Sequence, residues 1–302
     1  MIGEALLSLA AIGAGGAVGK KLFNAACYGI KRFLEPYFIA HEEKVKAKTE
    51  LAIFRKDPLK QLEFAQVFLK NADGQFPTEK VEELGNICKV IQAAVGYTEG
   101  AQMDESPYTE AEDKEWYARF FDEIRYISDS ELQEAWGRLM AERMIHPEGV
   151  NNRVLYYMRG LDKREIDTIR RVARIFLNDD FIPDYILDKF DGMTHDFPIL
   201  LSLGLAYKSA DPFHPLVTGF DLSEDNTIEG KGYQFKVSAL GEEKKVEVPC
   251  YGLTPEGQVL SRLCDSELTE SEAQTICDHL NECWKDKAKV VVEKRNNPLS
   301  ME

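Results

Sequence analysis

The sequence contains no GxSxG, no HExxH and no paired HxD pattern, and its five histidines, His41, His146, His195, His214 and His279, stand apart from one another. Such signatures place a base beside a nucleophile, or two ligands on one helix face, at a fixed spacing. Without them the sequence gives no support for hydrolytic chemistry, and no catalytic residue is assigned. CxxC pairs are missing as well. Cys264, Cys277, His279 and Cys283 cluster in sequence, but a tetrahedral zinc site needs about four ligands in mutual reach, and Cys277 and Cys283 lie oblique to each other on a helix. The six cysteines, with no secretory signal before them, read as reduced thiols of a cytoplasmic protein, packed as small hydrophobes. No metal and no other cofactor is expected.

Positive charge is scarce. Against 52 Asp and Glu the chain sets 37 Lys and Arg, a net charge of -15. Such a surface repels phosphate backbones, so nucleic acid is a disfavoured partner unless basic residues are segregated. At 44% hydrophobic residues over 302 positions, the chain still has material for a substantial core and room for two domains.

A long apolar run is also lacking. The Gly- and Ala-rich stretch 2–20 is charge-free only over 5–19, shorter than the ~20 residues that a membrane span requires. Glu4 stands where a signal peptide carries a basic residue. The stretch predicts an apolar helix over 1–35 that packs in a core, on a partner or at a membrane interface. Its contact residues are Leu6, Leu7, Leu9, Ile12, Gly15, Gly19, Lys20 and Lys21, with Gly15 and Gly19 as a small-xxx-small pair. The segment AGGAVGKK misses the phosphate-loop pattern because Lys21 occupies the magnesium-binding Ser/Thr position.

What is present is mostly helical. Residues 40–70 alternate charge signs, as a solvated helix face does, with Val45, Leu51, Ile53 and Phe54 as a thin apolar side suited to an oligomer contact and a break at Pro58. Leu59, Leu62, Phe64, Ala65, Phe68 and Leu69 face a core. Residues 81–95 form another helix, 96–112 read as a linker, and Trp116, Phe120, Phe121, Ile124 and Ile127 mark the next helix.

The clearest pattern lies in 127–166. Ser128 or Asp129 caps a helix whose apolar side carries Leu132, Trp136, Leu139 and Met140, then Arg143 and Met144. Pro147 and Gly149 stop it, Val154, Leu155, Met158 and Leu161 mark a second helix, and Asp162 with Glu165 caps a third. Short connections predict antiparallel neighbours. Trp136, Leu139, Met140 and Leu155 are the expected structural core. This run, ISDSELQEAWGRLMAE followed by HPEGVNNRVLYYMRGLDKREI, resembles the bacterial family called domain of unknown function 2806. Ser128, Asp129, Trp136, Leu139, Met140, Glu142, Pro147, Gly149, Arg153 and Leu155 carry the resemblance. It implies a helical protein of an abortive-infection, phage-defence setting, and no reaction.

Arg153, Arg164, Arg170, Arg171 and Arg174 form a candidate anion patch, to be weighed against pairing with abundant acids such as Asp179, Asp180 and Asp184. Beyond 177 the character changes. Residues 181–190 and 197–203 predict short helices, and a strand begins in 204–207. Further strands cover 220–222, 233–240 and 245–253, with Gly241 turning an antiparallel hairpin. Thr254 and Pro255 start another helix, 271–284 form the last helix, and 290–292 a short strand. The order is similar to a winged-helix module.

The sequence therefore predicts a mainly α chain with four regions: an apolar N-terminal helix (1–35), a helical domain (36–177), a smaller winged-helix-like α+β module with an antiparallel hairpin (178–294) and a tail (295–302). The expected function is a non-catalytic helical interaction protein that self-associates and touches the inner membrane peripherally. A winged-helix nucleic-acid binder is the alternative.

Overall fold

The computed structural model describes residues 16–45, 48–71, 74–98, 100–209, 215–222, 226–242 and 244–295. It is 59% helical, with 11 α-helices and small antiparallel sheets among the described residues. Two compact units divide the chain, residues 1–160 and residues 161–302.

The first unit is helical: α1 (Ala17–Val45), α2 (Lys48–Lys56), α3 (Pro58–Lys70), α4 (Thr78–Thr98), α5 (Glu110–Ile124), α6 (Ser130–Ile145) and α7 (Asn152–Gly160). In α1 the apolar residues recur at helical spacing, and Val18, Leu22, Ala26, Ile30 and Leu34 are all buried. The helix continues through Pro36, which deprives the Arg32 carbonyl of its helical donor without ending the element. From Ala17 onward the N-terminal segment is thus part of the bundle, packed on α2 to α6, and not a region closing at residue 35. Asp57 caps α3 by accepting from the Leu59 amide at 2.9 Å, with Pro58 at the first helical position, so the charged stretch 40–70 breaks where proline predicts.

Asp129 caps α6, accepting from Glu131 at 2.9 Å and Leu132 at 3.1 Å. This helix packs chiefly on α4, and α7 chiefly on α5. The expectation that consecutive helices of the 127–166 run are mutual neighbours is therefore corrected. α6 is buried around much of its girth, through Gln133, Trp136, Gly137, Leu139, Met140, Ala141, Arg143 and Met144, so its partners come from earlier helices. At Gly137 a Cβ would stand 2.5 Å from Ala93 Cβ and 2.9 Å from the Ala94 amide, so the close α4–α6 crossing depends on glycine. Within the stretch 96–112, residues 100–109 connect α4 to α5. The Asp104 amide donates to the Ile145 carbonyl at 2.9 Å, and the Asp104 carboxylate meets His146 Nδ1 at 2.6 Å, which straps the segment over the end of α6.

The second unit holds α8 (Lys163–Ala173), β1 (Phe181–Pro183), a 3-10 turn (Leu187–Lys189), α9 (Met193–Ser202), β2 (Ala206–Tyr207), β3 (Val217–Asp221), β4 (Asn226–Gly230), β5 (Tyr233–Ala239), β6 (Lys245–Leu253), α10 (Pro255–Arg262), α11 (Glu270–Trp284) and β7 (Ala288–Lys294). Asp162 and Glu165 close a reciprocal capping box on α8. That helix packs on α9 and α10, which places the division after Gly160 and not after 177. Residues 181–183 are a strand instead of a helix, because Phe181, Ile182 and Pro183 pair with Gly252, Tyr251 and Cys250 of β6.

The hairpin around Gly241 is also corrected. β5 pairs with β4 and β7, while β6 pairs with β1, β2 and β3, so the two strands flanking Gly241 lie in different sheets. The hairpin turn falls instead at Gly232, whose φ of 79° lies in the left-handed region that glycine adopts freely. β6 alternates exposed and buried residues, turning Val246, Val248 and Cys250 inward, and the Trp284 indole donates to the Glu247 carbonyl at 2.8 Å, tying α11 to that strand.

Candidate functional site

The first unit carries an aromatic cluster at the α1, α2 and α3 junction. Phe38 stacks on Phe54 at 4.2 Å between centroids and meets Phe64 edge-on at 4.9 Å, and Phe68 lies 5.1 Å from Tyr37. The buried Gln61 amide donates to the Phe54 carbonyl at 2.8 Å, satisfying the end of α2, and Arg55 donates to Glu35 at 2.6 Å, holding α2 against α1. A groove of about 360 Å³ opens above the cluster, lined by Phe38, Ile53, Phe54, Phe64 and Val67. Ile53 is 45% exposed and Val67 57% exposed, although both are apolar. Glu50, Lys60 and Glu63 place both charge signs on the groove, Lys60 and Glu63 pairing at 2.6 Å.

The contact residues expected at the N-terminus are divided. Leu6, Leu7, Leu9, Ile12 and Gly15 lie outside the described residues. Gly19 is half-buried on α1 and Lys20 exposed. Lys21 turns toward Asp113 at 3.9 Å, and burial pushes its ammonium below the usual lysine range, with Arg143 adding to that effect and Asp113 opposing it. Among the described residues no helix is long and apolar enough to cross a membrane.

The arginines expected to form an anion patch are largely engaged by carboxylates. Arg171 grips Asp196 with two bonds of 2.7 and 3.0 Å, Arg170 pairs with Asp167 at 3.2 Å, and Arg174 with Glu272 at 2.8 Å. The acid partners are these three, while Asp179 binds Lys231 at 3.1 Å. Arg164 is exposed on α8, and Arg153 is exposed on α7 of the other unit.

Among the described residues no three His, Cys, Asp or Glu side chains converge as a metal site. The Cys277 thiol donates to the Val290 carbonyl at 3.4 Å and the Cys264 thiol to Leu260 at 3.3 Å. Cys27, Cys88, Cys250 and Cys277 are buried; Cys264 is partly exposed and Cys283 exposed, so the reading of the cysteines as buried hydrophobes holds for four of the six.

Trp136, Leu139, Met140 and Leu155 all lie in the core, Trp136 meeting Phe120 edge-on at 5.6 Å. Beside them sits Arg143, 1% exposed. Its Nη1 donates at 2.8 Å to the carbonyls of Pro147 and Val150, and its Nη2 donates to Asp113 at 2.6 Å. The guanidinium also lies 4.1 Å from the Tyr108 ring centroid and 5.3 Å from that of Trp116. One cation thus holds the turn after α6, the strap and α5. Its apolar spacing on α6 signals burial in the sequence, but nothing in the sequence identifies Asp113 or Tyr108 as its partners.

A helical scaffold whose buried arginine joins a turn, a strap and a neighbouring helix is a packing motif. A family described as a protein of unknown function (DUF2806) matches residues 75–181. The match contains the 127–166 run and extends back over α4 and α5, the helices against which α6 and α7 pack. No curated protein and no solved structure matches the chain.

Proposed function

We propose that the protein is a non-catalytic helical interaction module that self-associates through the groove of α1, α2 and α3. One observation carries this reading: Ile53 and Val67 are left open to solvent over a wall of interlocked aromatic rings. A second copy of the chain is the favoured occupant. An interface that repeats itself about a two-fold axis must complement itself, and an apolar groove rimmed by both charge signs, Glu50 beside the paired Lys60 and Glu63, meets that condition. The phage-defence setting that the family resemblance implies is compatible with such a protein. Peripheral contact with the inner membrane from the cytoplasmic side rests on residues 2–15 alone, because α1 spends its apolar face on the bundle core. Mass in solution, compared between the natural chain and variants at Ile53 and Val67, tests the reading.

The second reading, a winged-helix nucleic-acid binder, draws on α8 and α9 followed by strands and on the exposed Arg164. The acid partners of Arg170, Arg171 and Arg174 weigh against it, because an ion-paired guanidinium must leave its carboxylate before it can release counterions from a phosphate backbone.

A further inference from the structure

We propose that the outer edge of β3 is a docking site for an extended, basic peptide segment of another protein, which adds to the sheet as an antiparallel strand. β3 pairs on one side only, with β6. The Cys250 amide donates to the Leu216 carbonyl and the Leu222 amide to the Lys244 carbonyl, both at 2.8 Å. Leu216, Thr218, Phe220 and Leu222 therefore turn their main-chain groups toward β6. Val217 and Gly219 turn theirs away, because the direction alternates along a strand. Among the described residues no hydrogen bond reaches the outward main-chain groups of Val217 and Gly219. Val217 is 46% exposed, so this edge is open to solvent.

Three other strands of the unit are closed by side chains where a neighbour strand is missing. Asn178 exchanges two bonds of 2.7 Å with the Glu229 main chain on β4. Asn281 bonds the amide of Val290 on β7 at 2.8 Å and its carbonyl at 3.0 Å. Trp284 occupies the Glu247 carbonyl on the side of β6 away from β3. Unpaired edges invite strand addition, and folded proteins blunt the ones they leave unused. The β3 edge has no such closure among the described residues, and it offers a row of main-chain donors and acceptors to an extended chain.

The face above the edge sets the chemistry of the occupant. Gly219 stands opposite Glu247 in the ladder and has no side chain to cover it; even a Cβ would only touch Glu247 Cγ at 3.8 Å. The Glu247 carboxylate is exposed and unpaired among the described residues. On that face Asp221 and Glu247 stand against the single cation Lys245, in a chain of net charge -15. A lysine or arginine placed opposite Gly219 on the added strand shares this face, and its Cα lies about 10 Å from that of Glu247, one wide and one narrow pair spacing together. The long side chain crosses the bare glycine to the carboxylate. Its neighbours on the added strand point to the other face, beside the half-buried Thr218 and Phe220, where apolar β-branched residues fit.

The test uses the full chain and a labelled seven-residue peptide, acetylated and amidated, with valine at the odd positions, lysine at the centre and threonine at the remaining two. Fluorescence anisotropy reads binding, and amide hydrogen exchange reads its place. The expected result is saturable binding that slows exchange at Val217 and Gly219. Gly219→Pro removes an outward donor that takes no part in the β6 ladder, so the fold tolerates it while the peptide binds about tenfold more weakly. Glu247→Lys weakens the lysine peptide by roughly threefold and favours a peptide with glutamate at the centre by a similar factor, the range of an exposed ion pair. No saturable binding by the natural chain, protection that falls on α1, α2 and α3 instead of β3, or binding that either variant leaves unchanged overturns the proposal. The charge reversal lies on an exposed side chain, so it decides even if Gly219→Pro folds poorly.

Discussion

Arg143 Nη2 lies 2.6 Å from Asp113 Oδ1, an ion pair that joins α6 to α5 with only 1% of the arginine side chain and 17% of the aspartate exposed. Removing the anion leaves a buried cation with two carbonyl partners and no counter-charge. Asp113→Ala is expected to cost about 3 kcal/mol, the lower end for a broken buried pair because Asp113 keeps some solvent contact. Arg143→Met combined with Asp113→Ala costs less than the sum of the two single changes. Urea unfolding of the four chains measures the coupling; strict additivity would show that the pair contributes no interaction of its own.

Gly137→Ala is expected to destabilise the first unit by about 1–3 kcal/mol, since the added methyl meets a side chain and a backbone amide of α4 within van der Waals distance. Helix propensity alone predicts the opposite sign, because alanine is the better helix former. Thermal unfolding of the variant therefore separates packing from propensity. A rise in melting temperature would mean that α4 moves away without penalty.

Stability is expected to fall with acid in a way that depends on His279. Its folded pKa lies below the ordinary 6.5, chiefly through burial, so the fold favours the neutral ring. That contribution is present in full above the unfolded value and is lost as pH falls through 6.5 toward the folded value. Denaturant midpoints at about pH 7.5 and about pH 5 should differ less in His279→Gln than in the natural chain. An equal difference in both chains would assign the acid sensitivity to other groups.

Duplex DNA is expected not to bind the full chain in a salt-dependent manner, because the Asp196 carboxylate holds Arg171 at two points and the net charge is -15. Fluorescence anisotropy at low salt checks this. Binding that weakens steeply with salt and with Arg171→Ala would favour the winged-helix reading.

Much of the helical structure is legible in the sequence because local chemistry decides it. Asp129 and Asp162 as caps, Pro58 as a break, and the burial of Trp136, Leu139, Met140 and Leu155 all follow from spacing or from a side chain beside its own backbone. Tertiary partners do not follow in this way. That α6 turns to α4 depends on the fit of Gly137 against Ala93, which no periodicity records. The strands show the same limit. The alternation in 233–239 and 245–253 identifies both elements, yet their pairing is set by β4 and β7 on one side and by β1, β2 and β3 on the other. β4, NTIEG, is only five residues long and sets Thr227 and Ile228 among Asn226, Glu229 and Gly230, which strands disfavour, so it does not stand out. The groove was half visible: Ile53 and Phe54 are adjacent apolar residues, but only the fold buries Phe54 and leaves Ile53 outside.

The concentration dependence of mass in solution bears most directly on the interaction reading. Sedimentation equilibrium of the natural chain should show a mass rising toward twice that of the chain as concentration increases, and Ile53→Asp with Val67→Asp should hold it at one chain with unchanged helical circular dichroism. A natural chain that stays monomeric throughout, or a variant that associates as the natural chain does, would contradict self-association through α1, α2 and α3.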